Sequence, residues 1–305
     1  MGRRWIVAAM GGLLAAAPLA AQNARRAESS DEFRSRLDTT LSISRDATVD
    51  LTLVSGEIHV TSWNRDAVKI EASSDRGILR LDASPSRVTL DVRSDRGELG
   101  DTRYEITVPA TARVITRSVS GDIDSRGGSE VEAHSVSGDI TLADASGRAR
   151  IETVSGTVRA SHVGNGLRVD AVSGDLTLSD ITGDVDVQTV SGEIELEGVR
   201  SSYVRTETVS GDTHFAGPLD SKGRYDFHSH SGDIRLTIPA SGASFEVETF
   251  SGDVSSDYQM ALRPNARGDR KRMEFTIGGG GARVSADTFS GDVIIERASG
   301  ANRED

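Results

Sequence analysis

Val154-Ser155-Gly156-Thr157-Val158, Val172-Ser173-Gly174-Asp175-Leu176, Val190-Ser191-Gly192-Glu193-Ile194 and Val209-Ser210-Gly211-Asp212-Thr213 follow one another in the middle of the chain, with glycines 18, 18 and 19 residues apart. A fixed period of this size marks a repeat architecture. With the glycine as position 0, Ser stands at −1 in ten copies, at Gly56, Gly121, Gly138, Gly156, Gly174, Gly192, Gly211, Gly232, Gly252 and Gly291. Positions −7, −5 and −3 are mostly apolar or small (Val185, Val187, Thr189; Phe245, Val247, Thr249). Positions −6 and −4 are mostly polar (Asp186, Gln188; Glu246, Glu248). Such alternation belongs to a strand with one buried face. Positions +2 and +4 are again apolar (Ile140, Leu142; Ile194, Leu196; Ile234, Leu236), and an apolar residue often follows at +7 (Val163, Ile181, Val199).

Each unit therefore reads as strand, Ser-Gly corner, strand and second bend. A strand of five or six residues spans about 17–20 Å. Two of them with their bends use about 18 residues, one coil of a solenoid whose coils stack in parallel about 4.8 Å apart. The expected fold is all-β, a single-stranded parallel β-solenoid (β-helix) with coils of about 18–20 residues. The glycine suits a corner needing positive φ or close backbone approach. The Ser column is expected to form a hydroxyl ladder serving the corner amides. A sandwich of antiparallel hairpins also repeats strands every 8–12 residues or so, but one residue kept in one column of a near-constant unit favours stacking.

Around this core, the pattern divides the chain. Arg3-Arg4, the apolar run 5–19 and Ala20-Ala21-Gln22 read as a secretory signal peptide, 1–21, cleaved near Ala20-Ala21. No other run is apolar enough to span a membrane, so no transmembrane anchor is expected. Residues 22–36 read as a polar, flexible leader and 298–305 as a polar tail. The repeat domain is expected over 37–297. Within it, 67–113 keeps the alternation (Val68, Ile70, Ala72; Val88, Leu90, Val92; Tyr104, Ile106, Val108) without Ser-Gly corners. Ser74-Asp75-Arg76-Gly77 and Ser94-Asp95-Arg96-Gly97 repeat there. The stretch 37–113 is either degenerate coils or a β cap covering the first edge. Regular coils are expected over 114–297. Gly252 and Gly291 are 39 residues apart, which reads as about two coils with an extruded loop near 263–272.

The formal net charge is −12, and no basic stripe is present, which argues against nucleic acid and against anionic lipid surfaces. Without cysteine there is neither a disulfide nor a lipidation site, so an exported chain must rely on core and ladders.

The signal peptide, the V-S-G-D-I repeats, Val60-Thr61-Ser62-Trp63 after the first repeat and Tyr104-Glu105-Ile106-Thr107-Val108-Pro109 before the regular coils together resemble a known family. It is the bacterial "putative adhesin" family of β-solenoid domains of unknown function. The resemblance covers about residues 37–297. It implies an envelope or surface location and a binding role, and it supplies no catalytic residues to carry over. Thr157 and Thr213 depart from the repeat at +1 and +2.

Four features carry candidate chemistry. The acidic +1 column (Glu57, Asp122, Asp139, Asp175, Glu193, Asp212, Asp233, Asp253, Asp292) stacks like charges about 4.8 Å apart. It either binds Ca²⁺ or accepts corner amides and faces water. His228 and His230 share a strand face and His214 lies one coil earlier, but the three do not share a column, so no metal site is assigned. Arg267-Gly268-Asp269 and Gly278–Gly281 lack the context of an adhesion tripeptide or a phosphate loop. The serines are ladder residues, and no G-x-S-x-G elbow occurs. Finally, Val172, Val190, Phe250 and Phe289 at −2 are apolar where parity faces them outward; they either turn in at the corner or form an exposed docking stripe.

The expectation is a non-catalytic, exported binding or scaffold protein, periplasmic or at the cell surface, with no catalytic, cofactor or metal residues. Its partner is an unidentified envelope polysaccharide or protein. The alternatives are a polysaccharide-acting β-helix enzyme, which needs a cleft built by insertions, and a rod that self-associates end to end.

Overall fold

The computed structural model describes residues 35–94, 100–240, 242–259 and 271–298. The expected signal peptide, the leader up to residue 34, Arg267-Gly268-Asp269 with most of the 263–272 loop, and the tail beyond Ala298 lie outside the described residues. Ser35 and Arg36, read as the end of the leader, instead open the strand Ser35–Ser42.

The described chain forms 25 strands. From residue 113 to 238, chain order and spatial order coincide. The longer strands Glu130–Ser137, Ala149–Ser155, Leu167–Ser173, Val185–Ser191, Tyr203–Ser210 and Arg224–Ser231 make one parallel ladder. The shorter strands Ile140–Ala143, Val158–Ser161, Leu176–Ser179, Ile194–Glu197, Thr213–Ala216 and Ile234–Ile238 make another. Partners are one repeat apart, Val169 opposite Val187 and Leu178 opposite Leu196. Parallel pairing at the repeat offset is a solenoid and excludes the hairpin sandwich.

The core consists of the columns read from the repeat. Leu167, Val169, Leu176, Leu178 and Ile181 from one coil are all at most 2% exposed. The second bend has its own column at +6, where Asp144, His162 and Asp180 take φ of 58°, 53° and 52°. Asp and His are among the residues that tolerate the left-handed region best.

The corner glycines are fixed by close approach. A Cβ on Gly174 would lie 2.0 Å from the Gly156 carbonyl oxygen, and one on Gly192 2.2 Å from that of Gly174. Any side chain there would push the coils apart.

At both ends, spatial order departs from chain order. The strand Arg224–Ser231 pairs with Ala282–Ser290, and Ala243–Ser251 lies outside that one. Likewise Ile234–Ile238 pairs with Val293–Arg297, with Val254–Ser256 beyond. The last coil in sequence is thus inserted beneath the one that precedes it. Lys271–Ile277 runs antiparallel along the outer strand Ala243–Ser251. The stretch between Gly252 and Gly291 therefore holds an antiparallel cap strand rather than a further coil. The chain turns back at Gly278–Gly281, where Gly278 and Gly280 have φ of 61° and 75°. The cap strand pairs with the outer edge of Ala243–Ser251 but runs antiparallel, so it ends the parallel register that a further coil would extend.

The beginning mirrors this. The coil of Thr48–Thr52 and Ser55–Trp63 sits between Arg113–Arg126 and an outer coil of Arg87–Arg93 and Thr102–Pro109. Ala67–Ser74 pairs antiparallel with Thr102–Pro109, Ser35–Ser42 with Ala67–Ser74, and Ile78–Ala83 with Arg87–Arg93. The region 67–113 is thus one displaced coil plus cap strands. Tyr104 anchors it, fully buried with its hydroxyl donating to Thr52 O at 3.1 Å; burial pushes its acidity well below that of an ordinary tyrosine.

Candidate functional site

Each Ser-Gly corner exposes three side chains, at −2, −1 and +1, and stacking turns them into three parallel lines. The line at −2 is apolar. In spatial order it runs Val54, Val119, Val136, Val154, Val172, Val190, Val209, His230, Phe289, Phe250, as the pairing of the flanking residues requires. The parity reading is correct, and these side chains do not turn in. The nine apolar members are 36–50% exposed, and they account for all the exposed large hydrophobics among the described residues except Ile78. Ten rungs at about 4.8 Å make a ridge about 43 Å long. Scattered exposed apolar residues need no explanation, but a continuous line does.

The ridge ends in a stack of rings. His230 and Phe289 lie 5.0 Å apart with planes 9° apart, and Phe289 and Phe250 lie 4.8 Å apart at 4°. Phe289 is covered on both faces by its neighbours, so solvent meets its edge. Such a stack extends the apolar ridge but offers no open ring face at its centre for a sugar.

The +1 line is acidic, and the structure shows what offsets the repulsion. Asp122 Oδ1 accepts the amide of Asp139 at 2.9 Å, and Asp139 Oδ1 that of Thr157 at 2.8 Å. Asp175 serves Glu193 at 3.1 Å, while Asp212, Asp233 and Asp292 serve Asp233, Asp292 and Asp253 at 2.8 Å each. Every acceptor in this ladder is Asp. The corner amides thus go to carboxylates rather than to the expected Ser hydroxyls. Ser155 and Ser173 instead donate to the carbonyls of Val136 and Val154, at 3.2 and 3.3 Å. Among the described residues no group of three or more His, Cys, Asp or Glu is arranged to hold a metal ion.

The histidines separate. His228 contacts Asp287 at 3.1 Å across the long ladder, and this hydrogen bond raises its pKa above the usual histidine value. His214 meets Thr237 on the short-strand face, and His230 belongs to the ridge.

Beside the ridge, the outer face of the long strands is self-neutralised. Arg150 pairs with Glu152 at 2.6 Å and Asp170 at 3.3 Å, and Arg168 with Asp170 at 2.9 Å and Asp186 at 2.7 Å. The hydrogen bond from Arg150 holds the Glu152 carboxyl below the usual range. Near the cap strand Lys271–Ile277 an open depression of about 660 Å³ is lined by Arg224, Asp226, Glu246, Glu274 and Arg283, among others. Asp226 is bound to Arg224, and Glu246 and Glu274 are both bound to Arg272. No helix among the described residues is long and apolar enough to cross a membrane.

Residues 99–296 match the family model described as Toastrack DUF4097, and the chain belongs to that family of unknown function. A crystal structure of a "putative adhesin" from Bacteroides fragilis is similar at 12% identity and a TM-score of 0.44, covering 86% of this chain and 97% of that one. A "putative adhesin" from Parabacteroides distasonis gives 11% and 0.45, with the same coverage of 86% and 97%. A "Putative lipid binding protein" from the same organism gives 10% and 0.36, over 87% and 97%. Comparison with curated proteins found no match.

Proposed function

We propose that this Toastrack protein is a non-catalytic, exported binding or scaffold module of the bacterial envelope, and that its contact surface is the apolar ridge. The observation that carries this reading is the gathering of nearly all exposed large hydrophobics among the described residues into one line, interrupted only by His230. The other long face is neutralised by its own ion pairs, which leaves it little to offer a partner. The antiparallel strands at both ends weigh against a rod that grows by end-to-end stacking of parallel coils.

The test is co-sedimentation of the purified chain with isolated envelope material, with soluble saccharide assayed in the supernatant. The wild type is expected in the pellet without saccharide release. A Val154→Asp/Val172→Asp/Val190→Asp variant is expected to lose retention at least tenfold. Release of saccharide fragments overturns the non-catalytic reading, and unchanged retention of the variant removes the ridge from it.

A further inference from the structure

We infer that the ridge packs against the ridge of a second copy of this chain, side by side along the length of the solenoid. The inference rests on the ridge being a contact surface and names what covers it. Three observations lead to it.

The first is period. The ridge repeats about every 4.8 Å over about 43 Å. An α-helix laid along it repeats every 5.4 Å or so and an extended strand about every 6.7 Å, so both drift off the rungs within a few contacts. A second solenoid has the same period throughout. Its rungs are the same residues, the arrangement found when identical stacked side chains face each other in a dry interface.

The second is area. Between the −4 column and the corner the strip is about 13 Å wide, two steps of alternate residues. Over about 43 Å this gives about 560 Å² on each copy, or about 1,100 Å² in all, just above what a specific interface requires. The Ser column beside the ridge is small and uncharged, so it does not hold the backbones apart. An interface at this lower limit suits a dissociable dimer.

The third is charge, which fixes the response to salt. The +1 line is acidic in nine of its ten positions and lies on one side of the ridge. On the other side, in the outer face of the long strands, Glu152, Asp170 and Glu207 at −4 stand between the ridge and Arg150, Arg168 and Arg205 at −6, with which they pair. The ridge is thus flanked by carboxylates on both sides. Like-charged chains joined by apolar contact fix the sign of the salt effect: added salt screens their repulsion and strengthens association. A partner held by charge complementarity would be released.

The experiment is sedimentation equilibrium on the purified chain, from about 1 to 200 µM, at low salt and at about 0.5 M salt. A reversible dimer that tightens with salt is expected, and Val154→Asp/Val190→Asp should weaken it at least tenfold. The chain has no cysteine, so single variants report direction. Val154→Cys and Val209→Cys, the fourth and seventh of the ten rungs, should link through a short bis-maleimide, each to itself if the copies run the same way and one to the other when mixed if they run oppositely. A dimer in which neither the single variants nor their mixture link would overturn the ridge as its interface. A wild type that stays monomeric at every concentration and salt, or a dimer indifferent to the aspartates, would overturn the inference itself. A monomer whose aspartate variant still loses envelope retention leaves the contact-surface reading standing and sinks only the dimer.

Discussion

Gly174→Ala is the smallest change that tests how the coils are held together. The added Cβ would lie 2.0 Å from Gly156 O and 2.8 Å from Gly156 C, both backbone atoms, at a φ of +126°. The residue cannot escape by changing rotamer, and the backbone it meets is pinned in the neighbouring coil. Holding a non-glycine residue at such a φ costs about 1–3 kcal/mol. Relieving the overlap means parting the coils by more than 1 Å or so against a spacing of about 4.8 Å. That weakens the two bonds beside the corner that join these coils, Val158 N to Asp175 O at 2.9 Å and Ser173 Oγ to Val154 O at 3.3 Å, at about 0.5–1.5 kcal/mol each. The sum is about 2–6 kcal/mol, a large part of the 5–15 kcal/mol or so that stabilises an ordinary domain. Gly279→Ala is the control, because nothing lies within 4 Å of a Cβ there and its φ is outside the strained region. Urea denaturation followed by circular dichroism should show a midpoint well below wild type for Gly174→Ala and little change for Gly279→Ala. Since stacked repeats can open locally, amide exchange in the flanking coils should accelerate in parallel. A Gly174→Ala midpoint within about 0.5 kcal/mol of wild type would refute the claim that carbonyl contact sets the corner.

Three further outcomes follow from the same geometry. Asp139→Ala removes the acceptor of the Thr157 amide and should cost about 1 kcal/mol, whereas Asp139→Asn keeps an acceptor and relieves repulsion from Asp122, so its melting temperature should equal or exceed wild type at low salt; millimolar Ca²⁺ or chelator should move neither. The pKa of Glu152 is lowered, chiefly by Arg150, so its stabilisation is present above the unfolded value near 4.3 or so and is lost as pH falls through the lower folded value. His228, raised by Asp287, behaves oppositely: its contribution is complete below about 6.5 and is lost as pH rises through the folded value, so His228→Asn should be less stable than wild type at pH 5.5 or so and equal to it near pH 9. Both groups are substantially exposed, so the effects are small and best read from the NMR titration of each side chain. Deleting 282–298 should release more than the last coil, because Ala243–Ser251 is held by Ala282–Ser290 on one side and by Lys271–Ile277 on the other. Limited proteolysis should then cut throughout 239–281, and a protected 243–256 would refute the inserted order.

The repeat was legible because stacking imposes column identity: Ser-Gly at each corner, Val or Ile inward, period 18. Parity pointed Val172 and Phe289 outward, but their apolar character left a turn inward at the corner open, and the exposures decide it. The use of the acidic column was half legible. Spacing showed that the carboxylates stack, but whether Asp139 meets a cation or an amide depends on where the next coil's N–H points, and that is a matter of corner conformation. The Asp-only rule for the acceptors could have been noticed, since the ladder carries no acceptance by Glu193 or Thr157. The ridge's membership was visible rung by rung, but its aromatic end was not. His230, Phe289 and Phe250 are neighbours only because the last coil slides between two earlier ones.

That insertion is the feature no column reading could supply. Every coil offers the same inward face and the same ladder edges, so Ala243–Ser251 and Ala282–Ser290 are nearly interchangeable as neighbours of Arg224–Ser231. What separates them is the company each keeps afterwards. Lys271–Ile277 pairs antiparallel with Ala243–Ser251, and Phe275 stacks on Phe245 at 4.9 Å with planes 5° apart. A strand carrying an antiparallel partner on one side has only its other edge left for a coil, so it must be terminal. The remaining coil, Ala282–Ser290 with Val293–Arg297, then has one place to go, between the terminal strand and the regular stack. The same reasoning holds at the start, where Ala67–Ser74 is antiparallel to Thr102–Pro109 and leaves that strand only an outer position. Both ends of the solenoid are closed by one device, and because it acts through pairing rather than composition, it leaves the repeat itself unchanged.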